Sequence, residues 1–375
     1  MNRRLSRLIS SLAGLAFSIA PVAPRSFAAA PTTASIDPSI RTSVNAGASA
    51  KTIDDFIKSQ IEGLKGDDAE LRKVAREALI SNSTAPNAAA SVQYLDAYGA
   101  ALDTELLPLA SHENVFIRLN VAIVAARVAA NANNDRLRNV LLVLMNDKSD
   151  AVIIWALRAA RYVIPAVLSN PLIAKNDKLL PSVVPVVQAH PSSSAILQEG
   201  YAALMLNYLD PNRAKPTPSI WKPMVFAAVT EVCKLLHWRL DMYKTGVPPE
   251  PLAENAAASF LVHPDIAHAQ NKEQLQVSSQ LVCDLMALAA VRCTAAADAD
   301  KDSLLAVVKR AANSLQALAT VLDPQKGRDL QPVVLPIQQA NKTTQNLPAL
   351  VAPACLAFQK AFPELAVVPT TLPSK

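Results

Sequence analysis

Only 8 glycines occur in 375 residues. Phosphate-cradling loops and tight β-hairpins need glycine for positive φ and close backbone approach, so both chemistries are disfavoured from the start. Aromatic residues make up 5%, and Trp155, Trp221 and Trp238 do not cluster in sequence, which weighs against the ring-stacking surface of a glycan enzyme. Cysteine is limited to Cys233, Cys283, Cys293 and Cys355, with no Cys-x-x-Cys pair and no haem-attachment pattern. Gly-x-Ser-x-Gly, His-Glu-x-x-His, the Walker loop and the dinucleotide fingerprint are all missing. No dense Lys/Arg run occurs either. The formal charge of +5 is uneven: Arg3, Arg4, Arg7 and Arg25 precede residue 30, where there is no acid, and the rest of the chain carries +1. A nearly neutral chain has no net attraction for a phosphate backbone, so no nucleic-acid partner is expected.

What the chain has in abundance is alanine, at 66 positions, together with leucine. With so little glycine, that composition predicts helix. Residues 1–30 read as a cleavable secretory signal: a basic start, an apolar run from Leu8 to Ala23, and small residues at Ala28, Ala29 and Ala30. Arg3-Arg4 and Arg25 also resemble a twin-arginine signal, although Ser6 and Arg7 stand where Phe and Leu are usual. The reading is of an exported chain, periplasmic or extracellular. No later segment reaches about 18 uninterrupted apolar residues, so no transmembrane segment is expected in the mature protein.

Residues 31–51 lack any apolar period and read as a flexible leader. From Thr52 onward, three- and four-residue apolar spacing predicts helices at 53–65, 68–81, 88–110 (broken), 114–131, 134–146, 149–168, 176–190 and 193–208. Others follow at 219–244, 250–262, 271–295, 300–322, 328–341 and 348–361. The fold class is all-α, with repeats over 52–209, a C-terminal helical region over 219–362 and a tail over 363–375. A stripe of Leu304, Val308, Ala311, Leu315, Leu318 and Leu322 reads as internal core rather than a dimer seam.

Four segments superimpose, starting at Asp68, Asn114, Ser149 and Ser193. Each opens on a residue whose side chain can accept from the unpaired amides of a first helical turn. Each continues with an aliphatic residue (Leu71, Ile117, Val152, Ile196) and then a small or β-branched one (Ala75, Val121, Ala156, Gly200). Small side chains at a fixed depth let neighbouring helices approach closely. A unit with one apolar face cannot bury it alone and must stack on the next. The capped start, the pairs Leu71-Arg72 and Ile117-Arg118, and the Ala-rich centre resemble the second helix of HEAT/armadillo-like repeats over residues 60–208. The resemblance implies a HEAT-like α-solenoid that presents a surface to a protein partner; it implies no reaction and no cofactor.

The best chemical constellation is Cys233, His237 and Asp241, spaced four apart on one predicted helix. Neighbouring pairs share a face and could ligate a metal ion, whereas the ends lie about 12 Å apart along the axis. A helical metal-binding protein or enzyme centred there is the alternative to a non-catalytic scaffold. His263 and His268, five apart, do not share a helical face, and His112 and His190 read as helix-end residues.

Overall fold

The computed structural model describes residues 35–86, 88–206, 216–245, 247, 249–344 and 346–368. The signal reading falls outside this set, as do 31–34, 207–215 in the proline-rich stretch, and 369–375 of the tail. Among the described residues the chain is all-helical, with seventeen α-helices and no strand. The long ones are α2 (Ala50–Lys65), α3 (Ala69–Ser81), α4 (Val92–Leu106), α5 (Val115–Ala132), α6 (Arg138–Leu144), α7 (Asp150–Leu168), α9 (Leu179–Ala189) and α10 (Ser194–Leu204). Then come α11 (Pro218–Lys244), α12 (Pro251–Val262), α14 (Lys272–Ala295), α15 (Asp298–Leu322), α16 (Pro324–Gln339) and α17 (Leu347–Ala361). Two short helices were not anticipated, α1 (Pro38–Thr42) and α8 (Pro171–Ala174), and a third, α13 (Pro264–Ala267), begins at Pro264, whose type and place suggest a helix start. Each starts on a proline, preceded by Asp37, Asn170 and His263, a start signal present in the sequence but too short to show an apolar period.

The packing order follows from which face of each helix is apolar. Successive helices pair as α2 with α3, α4 with α5, α6 with α7, α9 with α10, α11 with α12, and α14 with α15. A first row runs α2, α4, α6, α9, α11, α14, α17, each member packed on the one before it. A second row runs α3, α5, α7, α10, α12, α15, α16 in the same serial manner. The last pair reverses the order of rows, since α15 leads directly into α16 before α17 returns to the first row.

The four superimposable segments are the second-row helices α3, α5, α7 and α10. Their small-residue positions Ala75, Val121, Ala156 and Gly200 are all buried. A Cβ on Gly200 would collide with Val187 Cγ2 of α9, so a side chain there would push the pair apart. Two of the four expected caps form: Asp68 accepts from the amides of Glu70 and Leu71, and Asn114 from that of Phe116. Ser149 and Ser193 make no side-chain cap bond. At the third copy Asp147 takes over, accepting from the Ser149 amide at 2.7 Å while ion-pairing with Arg118 of the preceding unit. The stripe on α15 is buried from Leu304 through Leu318 inside the chain's own core.

Two segments expected to be unstructured are ordered within the described residues. Ile36 is buried, and its amide donates to Asn82 Oδ1. Arg41, 4% exposed, donates to the carbonyls of Ile36 and Thr84 and to Ser35 Oγ, stitching this stretch to the end of α3. At the other end, Leu365 and Val367 are buried, and Val368 exchanges two hydrogen bonds with the side chain of Gln280 on α14. Neither segment has an apolar period, because a few isolated anchors hold each.

α5, α7 and α14 are each long and apolar enough to cross a membrane by length and composition. All three lie between neighbours in their row and against a hairpin mate, so their apolar residues are covered on several sides by other helices.

Candidate functional site

The second row carries a cleft of about 1040 Å³. Its lining comes from four consecutive helices of that row: Arg161 and Tyr162 on α7, Ala202 on α10 with Met205 just past its end, the face of α12 from Pro251 to Phe260, and Ala306, Lys309, Arg310 and Asn313 on α15. The volume lies at the upper end of ordinary ligand sites. Its floor is apolar, with Phe260 1% exposed, while Leu252 stands 75% exposed at the rim. Among the described residues, three cationic side chains line it and no Asp or Glu does. Arg310 Nε donates to Ser259 Oγ at 2.9 Å, which fixes a guanidinium between α15 and α12. Asn255 Oδ1 is buried without a hydrogen-bond partner.

Polar contacts continue along the same row. Arg76 of α3 donates to Asn120 of α5 at 3.0 Å, and Arg158 of α7 ion-pairs with Glu199 of α10 at 2.7 Å. Between them, Arg127 and Arg158 both lie over the Trp155 ring, at 5.6 and 4.8 Å. Asn120, Trp155 and Glu199 occupy one equivalent position, six residues after Asn114, Ser149 and Ser193. The sequence held this register; identifying the arginines that meet it required the order of the helices.

Behind the cleft lies a buried ionic network joining α11 to α12. Arg239 Nε donates to Glu254 Oε1 at 2.7 Å, and both side chains are almost wholly buried. Tyr243 Oη and the amide of Glu250 donate to Glu254 Oε2. Burial raises the Glu254 carboxyl above its ordinary value, opposed by Arg239 and by the hydrogen bonds it accepts. The Tyr243 hydroxyl is pushed up by burial and by the carboxylate beside it. Glu254 is thus committed inward, and its charge is matched by Arg239 rather than by the cleft.

The constellation of Cys233, His237 and Asp241 is split between partners. Cys233 is buried and its thiol contacts Ser278 Oγ at 3.8 Å; burial pushes its pKa up to about 11. His237 is exposed, with Nε2 3.8 Å from Asp241, which in turn pairs with Lys244 at 2.7 Å. The Lys244 ammonium holds the Asp241 carboxyl below its usual range. Cys233 and His237 do line one groove of about 410 Å³ between α11 and α14, walled by Phe226, Val229, Val277 and Leu281; Asp241 lies outside that lining. Among the described residues, no three His, Cys, Asp or Glu side chains converge in a group able to hold a metal ion.

The remaining sequence candidates occupy structural positions. His112 Nδ1 accepts from the Asn114 amide, and His190 Nδ1 lies 3.1 Å from Asp150 at the start of α7. His263 caps α13, with Nδ1 buried and unpartnered, while His268 is exposed one turn later. All four cysteines are free and buried, and the neighbouring thiol of Cys355 on α17, together with burial, raises the pKa of Cys283 on α14 well above the ordinary thiol value. The chain matches no protein-family model and no curated protein.

Proposed function

We infer that this chain is an exported, non-catalytic helical scaffold, a HEAT-like α-solenoid that binds a protein partner on the free side of its second row. One observation carries the reading: among the described residues, a large cleft is lined by four consecutive helices of that row. A concavity shared by successive equivalent helices is what a curved stack of hairpins would offer a partner. Serial packing of both rows supports the stack, and small residues buried at one depth in α3, α5, α7 and α10 support its repeat character. The basic, apolar and small-residue succession of residues 1–30 supports export.

The test is site-directed photocrosslinking in the native host. A photoreactive phenylalanine analogue at Leu252, on the cleft rim, should yield a discrete crosslinked protein. The same analogue at Leu172, 87% exposed on α8 and outside the cleft, should not. Equal crosslinking at both positions, or none at Leu252, would remove the second row as the binding face. N-terminal sequencing of the same material should start near residues 28–31 if the signal is cleaved.

A further inference from the structure

We propose that Cys283 of α14 and Cys355 of α17 are the disulfide-forming pair of this chain, joined as the protein folds in an oxidising compartment, while Cys233 and Cys293 stay as thiols. The inference takes export from the reading above and adds a covalent tie between the returning last helix and the first row.

Placement is the first argument. α14 lies between α11 and α17 in the first row and packs on both. On the α17 side the thiol of Cys355 lies beside that of Cys283, and both residues are buried. A second tie holds the same stretch of α14 to the segment after α17. Val368 exchanges hydrogen bonds of 2.8 and 3.0 Å with Gln280, less than one turn before Cys283. A disulfide needs Cβ atoms about 3.5–4.5 Å apart, and two thiols already side by side on packed helices approach that by turning about χ1. The other two cysteines point elsewhere. Cys233 meets Ser278 from α11, on the opposite flank of α14, and the Cys293 thiol donates to the Lys301 carbonyl at 3.7 Å. Cys283 and Cys293 are ten residues apart on one straight helix, about 15 Å of rise, far beyond the reach of an S–S bond.

The reaction requires a disulfide oxidant, protein-borne or small-molecule. One cysteine thiolate attacks a sulfur of that oxidant and expels half of it as a thiol. The other thiolate attacks the mixed disulfide, forms the Cys283–Cys355 bond and expels the second half. Two electrons and the two thiol protons thus pass to the oxidant, which leaves as two thiols. Only a thiolate attacks, and burial holds Cys283 protonated, so oxidation belongs to the stage before α17 docks fully on α14. Once formed, the bridge is shielded by the same packing. The loop it closes contains all of α15 and α16, and closing a long loop restricts the unfolded chain most.

The test is refolding of the reduced full chain from guanidinium into a buffer of reduced and oxidised glutathione, then alkylation and mass spectrometry of unreduced peptides. Cys233 and Cys293 should be alkylated, and the Cys283 and Cys355 peptides should run as one bridged species. Cys283→Ala and Cys355→Ala should each leave three alkylated cysteines and no bridge. Excess dithiothreitol during refolding should lower the thermal midpoint of the parent chain by at least about 3 °C and leave that of Cys355→Ala unmoved, which separates loss of the bond from loss of packing. Four alkylated cysteines after oxidative refolding, a bridge joining any other pair, or a parent midpoint indifferent to the reductant would overturn the inference. The same mapping on chain purified from the native host tests export apart from pairing: a bridge formed in glutathione but absent from host material would count against export and leave the pairing standing.

Discussion

The pairs from α2 to α10 and those from α11 to α17 use one packing order with different means of holding it. In the earlier half, no helix exceeds 19 residues and α6 spans only Arg138–Leu144, and side-chain caps start α3 and α5. In the later half, α11, α14 and α15 are each more than twenty residues long. There a buried ion pair between α11 and α12 and one backbone-tight glycine on α16 do the fixing. Order of packing needs only that each helix has two apolar flanks, whereas repetition in sequence needs the same residue to meet the same neighbour each time. Serial packing runs throughout the described residues, whereas the superimposable segments of the sequence stop at α10.

Removing one partner of the buried pair should produce the largest loss in this contrast. Arg239→Met leaves Glu254 ionisable and unpaired in the interior, and should cost about 3–5 kcal/mol in chemical denaturation. If the loss falls under about 1 kcal/mol, the later half does not depend on that pair. Gly327→Ala should come next. A Cβ there would sit 2.6 Å from Thr320 Cα and 2.8 Å from Thr320 N, and backbone cannot swing aside as a side-chain end can. We expect about 2–3 kcal/mol, the upper part of the range for overpacking.

Gly200→Ala is the counterpart in the earlier half. Its added methyl meets Cγ2 of Val187, a side-chain atom rather than backbone, so about 1–2 kcal/mol is expected. A cost equal to that of Gly327→Ala would show that both halves are packed with the same tightness. The smallest effect separates caps that form from those that do not: Asp68→Ala should cost about 1 kcal/mol, and Ser193→Ala no more than a few tenths. Thermal melts of the two single variants side by side decide it.

Most helices were legible because their apolar spacing is strong, and the fourteen expected ones all occur within a few residues of their expected ends. The burial of the equivalent positions Ala75, Val121, Ala156 and Gly200 was legible from their place on the apolar face. The continuation of both rows past α10 was not, since it depends on faces such as Leu304–Leu318 that any helical core would display. The cleft was hidden for a related reason. Arg161, Lys309 and Arg310 lie about 150 residues apart along the chain and meet only when α7, α10, α12 and α15 come into line. Conversely, Cys233, His237 and Asp241 looked close on a helical ladder, yet Ser278 and Lys244 claim the two ends.

The reversal at α16 and α17 has a practical side. After six pairs that finish on the cleft-bearing row, the chain turns back, and Val368 is tied to Gln280 on the opposite row. That clasp pins the end of the described chain to the row opposite the cleft, so a label on Gln280 would sit on the wall away from the groove.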